Sequence, residues 1–155
     1  MAFDIAKEHL EKLGLGDRIH TFEVSSATVE LAAQAVGCEP ARIAKTLSFM
    51  VQGSPILVVA AGDAKVDNHK YKDQFGVKAK MLSPDEVAGL VGHGVGGVCP
   101  FGIKDGVKVY LDESLKRFET VFPAAGSSNS MIELSIEELE RYSHSLQWVD
   151  VCKES

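Results

Sequence analysis

A chain of 155 residues is long enough to bury a core of its own and short enough to read as one domain, 1–155. Its 45% hydrophobic and 25% charged content is that of a globular protein, no apolar run nears the roughly 20 residues of a membrane span, and MAFDIAKEHLEKLGLG lacks a secretory-signal pattern. A formal charge of −6 argues against broad, sequence-blind nucleic-acid binding, and three scattered cysteines without a C-x-x-C argue for a reducing, cytoplasmic setting rather than a zinc site or disulfide framework.

In chain order, Phe3, Ala6, Leu10 and Leu13 recur at three- and four-residue spacings, which predicts an amphipathic helix stopped by Gly14 and Gly16. IHTFEV alternates as a strand. Ser25 to Thr28 offers N-cap oxygens for the helix VELAAQAV, which ends at Gly37, and Pro40 suits the first turn of a short helix, PARIA. TLSFMV and PILVVAAG read as a hairpin joined by Gln52-Gly53-Ser54. Asp67 to Phe75 is a short helix closed by Gly76, and VKAKML follows as a strand. Ser83-Pro84-Asp85-Glu86 is a capping box opening a helix that runs to about Val91. Beyond a glycine-rich loop, VKVYL, ETVFP and SMIEL read as strands, with the loop AAGSSNS before the last. A second capping box from Ser135 opens the final helix, and QWVDV finishes as an edge strand. Hairpins and many strands favour an α+β fold, with a mixed, largely antiparallel and partly barrel-like sheet flanked by helices.

Gly92, Gly94 and Gly97 spell the dinucleotide-binding pattern G-x-G-x-x-G, but that pattern needs a helix running on from its third glycine. Pro100 follows too closely, because an interior proline costs about 3 kcal/mol or more. The glycines therefore read as a loop with exposed backbone. His9, His20, His69 and His144 share no ligand spacing, so neither a metal nor a cofactor is expected.

Three features stand out: Lys45 at the mouth of an apolar strand in Ala44-Lys45-Thr46-Leu47, the loop Gly96-Gly97-Val98-Cys99-Pro100-Phe101-Gly102, and the Ala125-Gly126-Ser127 turn before Ile132-Glu133-Leu134. Together, in this order, and with TVELAAQAVG before the lysine, they resemble the YbaK/EbsC family over roughly residues 20 to 145. Its members are free-standing relatives of the editing domain inserted in bacterial prolyl-tRNA synthetases. The resemblance implies an aminoacyl-tRNA deacylase that hydrolyses the ester of mischarged tRNA, with tRNA(Pro) carrying a small wrong amino acid as the expected substrate. It implies catalytic roles for Lys45, Gly96 and Gly97, and substrate binding by Thr46, Val98, Cys99, Pro100, Phe101, Gly126 and Ser127. The implied partners are the tRNA acceptor end and prolyl-tRNA synthetase, with no membrane and no DNA. The third loop departs from relatives that carry a basic residue after the glycine.

Such residues suit the chemistry. An aminoacyl ester is already activated, so positioned water and an oxyanion held by backbone N–H groups can suffice, and glycines let the backbone approach the carbonyl. Lys45 supplies a point charge for acceptor-end phosphates. Two alternatives and one open assignment accompany this reading. One is a non-catalytic module of the same fold that binds an amino acid or an acceptor end. Another is a thiol enzyme using Cys99 with His93 as base. The open assignment concerns the lysines at 65, 70, 72, 78 and 80, which are either a solvated face or the tRNA-facing patch.

Overall fold

The computed structural model describes residues 2–22, 28–93, 98–125 and 130–154. Its centre is the hairpin of β2 (Ile43–Val51) and β3 (Ser54–Ala61). Eight antiparallel residue pairs run from Ala44↔Ala61 to Val51↔Ser54. The connection is the two-residue turn Gln52-Gly53, shorter than the three residues expected, with φ of 49° and 84°. Positive φ at both positions gives the twist that antiparallel strands need, and glycine adopts it without a Cβ penalty.

β3 is buried along Ile56–Ala61, none of these residues more than 2% exposed. It lies between β2 and the parallel strand β5 (Lys108–Asp112). A strand paired on both edges and covered on both faces reads as an unbroken apolar run, which is what ILVVAA is. Each fully buried Val, Leu or Ile there contributes about 1.5–3 kcal/mol. The six-stranded sheet has the order β8-β6-β2-β3-β5-β9, with β6 at Thr120–Pro123, β8 at Leu134–Ser135 and β9 at Gln147–Val149. β1 (Ile19–Thr21) pairs with β7 (Ser130–Ile132), and β4 (Ala64–Val66) pairs with β10 (Cys152–Glu154), both antiparallel. The fold is α+β with a mixed sheet: the β2–β6, β3–β5 and β5–β9 pairings are parallel and the other four antiparallel.

The helices form where the capping residues stand. α1 spans Ala2–Lys12. α2 (Val29–Val36) is capped by the Thr28 side chain and ends at Gly37 with φ 75°. α3 (Asn68–Phe75) is capped by Asp67 and stops at Gly76. Both capping boxes close as the sequence predicts, Ser83 with Glu86 and Ser135 with Glu138, at the starts of α4 (Pro84–Glu86) and α5 (Ile136–Tyr142). α4 continues as a wider π turn over Val87–Val91, where the Gly92 N–H reaches the Val87 carbonyl at 3.3 Å. PARIA yields only a 3-10 turn, Pro40–Arg42.

Two expectations are corrected. VKAKML forms no strand; it makes one bridge, Met81 opposite Phe49, and two bonds to β2. Its alternation suits an extended segment laid on a strand edge as well as a full ladder. SMIEL divides into β7 and β8 at Glu133, whose carboxylate turns to the Thr120 hydroxyl at 2.7 Å and Arg42 at 3.2 Å. The two halves therefore join different partners, β1 and β6.

Candidate functional site

β2 has a second edge, and it is split. At one end Ile43 and Ala44 pair with β6. At the other, Met50 N–H donates to the Lys80 carbonyl at 2.8 Å and Leu82 N–H donates to the Ser48 carbonyl at 3.1 Å. Main-chain groups of alternate strand residues point to the same edge. Thr46 therefore presents its own N–H and C=O between the place where β6 leaves and the place where the 80–82 segment arrives.

A cavity of about 240 Å³ occupies this gap. Its walls are mostly apolar, from Val29 and Ala32 of α2, Leu82 and Val87 on one flank, and Phe122 and Met131 on the other. Thr28, Lys45, Thr46 and Ser48 are the polar residues among the lining. The Thr46 hydroxyl is buried with no hydrogen-bond partner among the described residues. An unpaired buried hydroxyl costs about 1–3 kcal/mol, so it is a group a ligand would satisfy.

Successive strand side chains take opposite faces, and Lys45 leaves Thr46 to reach the turn after β3. Its Nζ donates to the Ala64 carbonyl and lies 3.5 Å from that of Gly62. Burial lowers the lysine's pKa, opposed by the nearby Asp63 carboxylate. Gly62 lets this turn pack closely against Pro40 and Val29: a Cβ there would fall 2.0 Å from the Pro40 carbonyl oxygen and 2.8 Å from a Val29 methyl. Next in the turn, Asp63 receives Arg117 in a bidentate pair at 3.0 and 2.5 Å, which holds its carboxyl below the usual range. The ammonium is thus fixed by main-chain acceptors on a braced turn, and among the described residues it makes no ion pair.

Of the residues expected from the sequence, Lys45, Thr46 and Val98 line the cavity together. Gly96, Gly97, Gly126 and Ser127 lie outside the described residues, as do Gly94 and Ser25. Cys99 and Phe101 are fully buried, Pro100 is buried, and none of the three is among the lining. They form the base of the loop instead. His93, also fully buried, donates from Nε2 to the Phe101 carbonyl at 2.7 Å, leaving Nδ1 unprotonated and without a partner among the described residues. The Cys99 thiol sits 3.6 Å from the same carbonyl and 3.7 Å from His93 Nε2.

Burial pushes the Cys99 pKa up to about 12. A nucleophilic cysteine needs the opposite, a thiolate favoured by positive surroundings and reachable by substrate. With His93 Nε2 carrying its proton toward Phe101, this geometry does not make His93 a base for Cys99. No helix follows Gly97 over residues 98–107, so the dinucleotide pattern lacks its structural condition. Among the described residues no group of His, Cys, Asp and Glu could hold a metal ion, and no helix is long and apolar enough to cross a membrane.

Sequence reasoning missed Ser48 and the apolar walls. Thr46 and Ser48, two hydroxyls at i and i+2 in an apolar strand, were a usable signal. Nothing in the sequence separates Val87 or Met131 from ordinary core residues.

A family model of the aminoacyl-tRNA editing domain matches residues 23–142. The chain is 53% identical over 155 residues to the uncharacterized protein YwhH of Bacillus subtilis (strain 168), covering 99% of each. It is 30% identical over 113 residues to the proline--tRNA ligase of Bacillus cytotoxicus, covering 72% of this chain and 19% of the ligase, so it spans about a fifth of that enzyme's length. A crystal structure described as a candidate trans-editing enzyme for prolyl tRNA synthetase superposes with a TM-score of 0.88 at 30% identity, covering 99% of this chain and 98% of the other.

Proposed function

Since this chain belongs to the aminoacyl-tRNA editing domain family, we propose that it is a free-standing deacylase that hydrolyses the ester of mischarged tRNA. The substrate is tRNA(Pro) carrying a small wrong amino acid, and prolyl-tRNA synthetase is the enzyme whose errors it removes. The observation that carries this reading is the cavity on the split edge of β2, with Lys45 and the unsatisfied Thr46 hydroxyl among its lining and the lysine ammonium anchored on the adjoining turn.

Size supports a small acyl group. A cavity of about 240 Å³ holds on the order of eight water equivalents at about 30 Å³ each. A small aminoacyl group fits that space; the terminal adenosine does not, and stays at the rim. Apolar walls then sort side chains by volume, at about 1–3 kcal/mol per methylene. In this reading the Thr46 hydroxyl and main chain orient the acyl group. Lys45 holds the phosphate and ribose side of the ester as a point charge, and N–H groups of the Gly96–Gly97 segment receive the oxyanion. Water attacks the ester carbonyl carbon and the ribose oxygen leaves with a proton, giving a free amino acid and an intact tRNA. Cys99 takes no part in bond making.

The test is a deacylation panel in which several tRNAs are each charged with several amino acids. Release is expected from tRNA(Pro) with a small non-cognate residue. Lys45→Ala is expected to lose on the order of 100-fold in kcat/KM, the scale of one missing transition-state electrostatic contact, with the folded circular dichroism spectrum retained. Full activity in that variant removes Lys45 from the mechanism. Binding of an uncleavable aminoacyl-adenosine analogue without hydrolysis anywhere in the panel would make the protein a binding module.

A further inference from the structure

We propose that the β4–β10 ribbon is an RNA-binding surface that holds acceptor-stem phosphates through Lys65 and Lys153. The proposal rests on the deacylase reading for the identity of the RNA. In the antiparallel register Lys65 stands directly opposite Lys153, and both are exposed. Like charges directly opposed across a ladder destabilise it, and neither lysine makes an ion pair with a described residue. The neighbouring Lys70 is different: Asp150 at 3.0 Å and the Cys152 carbonyl at 3.1 Å occupy its ammonium. The ribbon thus keeps two cations without a direct ion pair, Lys153 acting only at longer range on Asp67, where Lys70 is neutralised by contact.

Its location gives those cations a ligand. The residue before Lys65 is Ala64, whose carbonyl accepts the Lys45 ammonium, and Lys45 lines the cavity. Lys45, Lys65 and Lys153 therefore form a cationic path from the cavity wall onto the ribbon, and Lys65 is close enough to depress the Lys45 pKa. A small acyl group in the cavity leaves its nucleotide outside, and the phosphates that follow along the strand need cations beyond Lys45. A phosphate backbone is the polyanion that fits, because each neutralised phosphate releases condensed counterions. This narrows the lysine run read from the sequence: Lys70 is spent within the fold, and Lys153 joins from a position 88 residues after Lys65.

The experiment measures binding of a fluorescent, uncharged acceptor-stem hairpin with a single-stranded 3′ end, by anisotropy over a salt series. For Lys65→Gln/Lys153→Gln, Kd is expected to rise about tenfold at low salt. The slope of log affinity against log salt should fall by about 1.4 to 1.8, the value for two phosphate contacts. The control Lys7→Gln/Lys108→Gln, an equal charge change elsewhere on the surface, should stay within twofold. The melting temperature of the ribbon variant should equal or exceed that of wild type, since a like-charge opposition has been removed; this separates a lost contact from a lost fold. An unchanged Kd and slope, or a wild-type protein without salt-dependent binding, overturns the proposal. The probe carries no ester, so the outcome is independent of hydrolysis. Lysine-dependent binding with no deacylation would keep the surface and remove the hydrolase reading; deacylation indifferent to both lysines would do the reverse.

Discussion

The two edges of β2 are built for different ends. Toward β3 the strand makes an unbroken eight-pair ladder against residues that are almost wholly buried. Toward β6 it pairs over two residues, leaves Thr46 at a gap, and resumes with two bonds to the 80–82 segment. The closed edge stabilises the domain; the open edge leaves a hydroxyl and main-chain groups facing a cavity. One strand can do both because its alternate residues address opposite edges.

The difference can be broken from either side. Leu57→Ala, on the closed edge and fully buried, should cost about 2–5 kcal/mol in urea unfolding, the range for truncating a buried leucine. A smaller loss would mean that the ladder side is less tightly packed than it looks. Gly62→Ala attacks the turn that holds Lys45. Its Cβ meets main chain that cannot rotate away, so about 1–3 kcal/mol of stability should go, the overpacking range, and deacylation should fall with it.

Thr46→Val tests the open edge in the opposite sense. Removing an unpaired buried hydroxyl should leave stability equal or higher by up to about 1 kcal/mol, while deacylation drops about tenfold, or about 1.4 kcal/mol. Lower stability in this variant would show that the hydroxyl is satisfied in the folded protein.

The smallest effect concerns pH. Burial lowers the pKa of both His93 and His9 in the folded state. The unfolded chain therefore binds more protons than the native one as pH falls below the ordinary histidine value of about 6.5, and stability declines from there toward the folded pKa values. Hydrogen exchange between pH 6.5 and 5 should quicken at residues 98–101 and in α1 before it changes in the β2–β3 ladder. A uniform change would mean that the loop base and the ladder open as one unit.

Local signals were legible wherever one residue settles the backbone. Gln52-Gly53 set the hairpin, Gly37 and Gly76 ended helices, and Ser83 and Ser135 began them, because caps and positive-φ turns depend on neighbours within four residues. The lysine-centred motif at 44–47 was legible as well, and the fold family with it. The segment 77–82 was not, since alternation records which side chains turn inward and not whether a partner strand runs alongside. The family resemblance implies substrate contacts for Cys99, Pro100 and Phe101, and a motif does not carry what the fold adds, that all three are buried and outside the cavity lining.

By itself, then, the sequence determined the helix ends, the central hairpin, the apolar run of β3 and the family of the chain. Tertiary structure alone decided that β2 has a split edge, that Thr46 faces it while Lys45 crosses to Gly62 and Ala64, that Cys99 is sealed beneath the loop, and that Lys65 meets Lys153. Caps, turns and periodicity are short-range properties of the backbone, whereas an edge, a cavity or a charge pair exists only once residues distant in the chain have packed together.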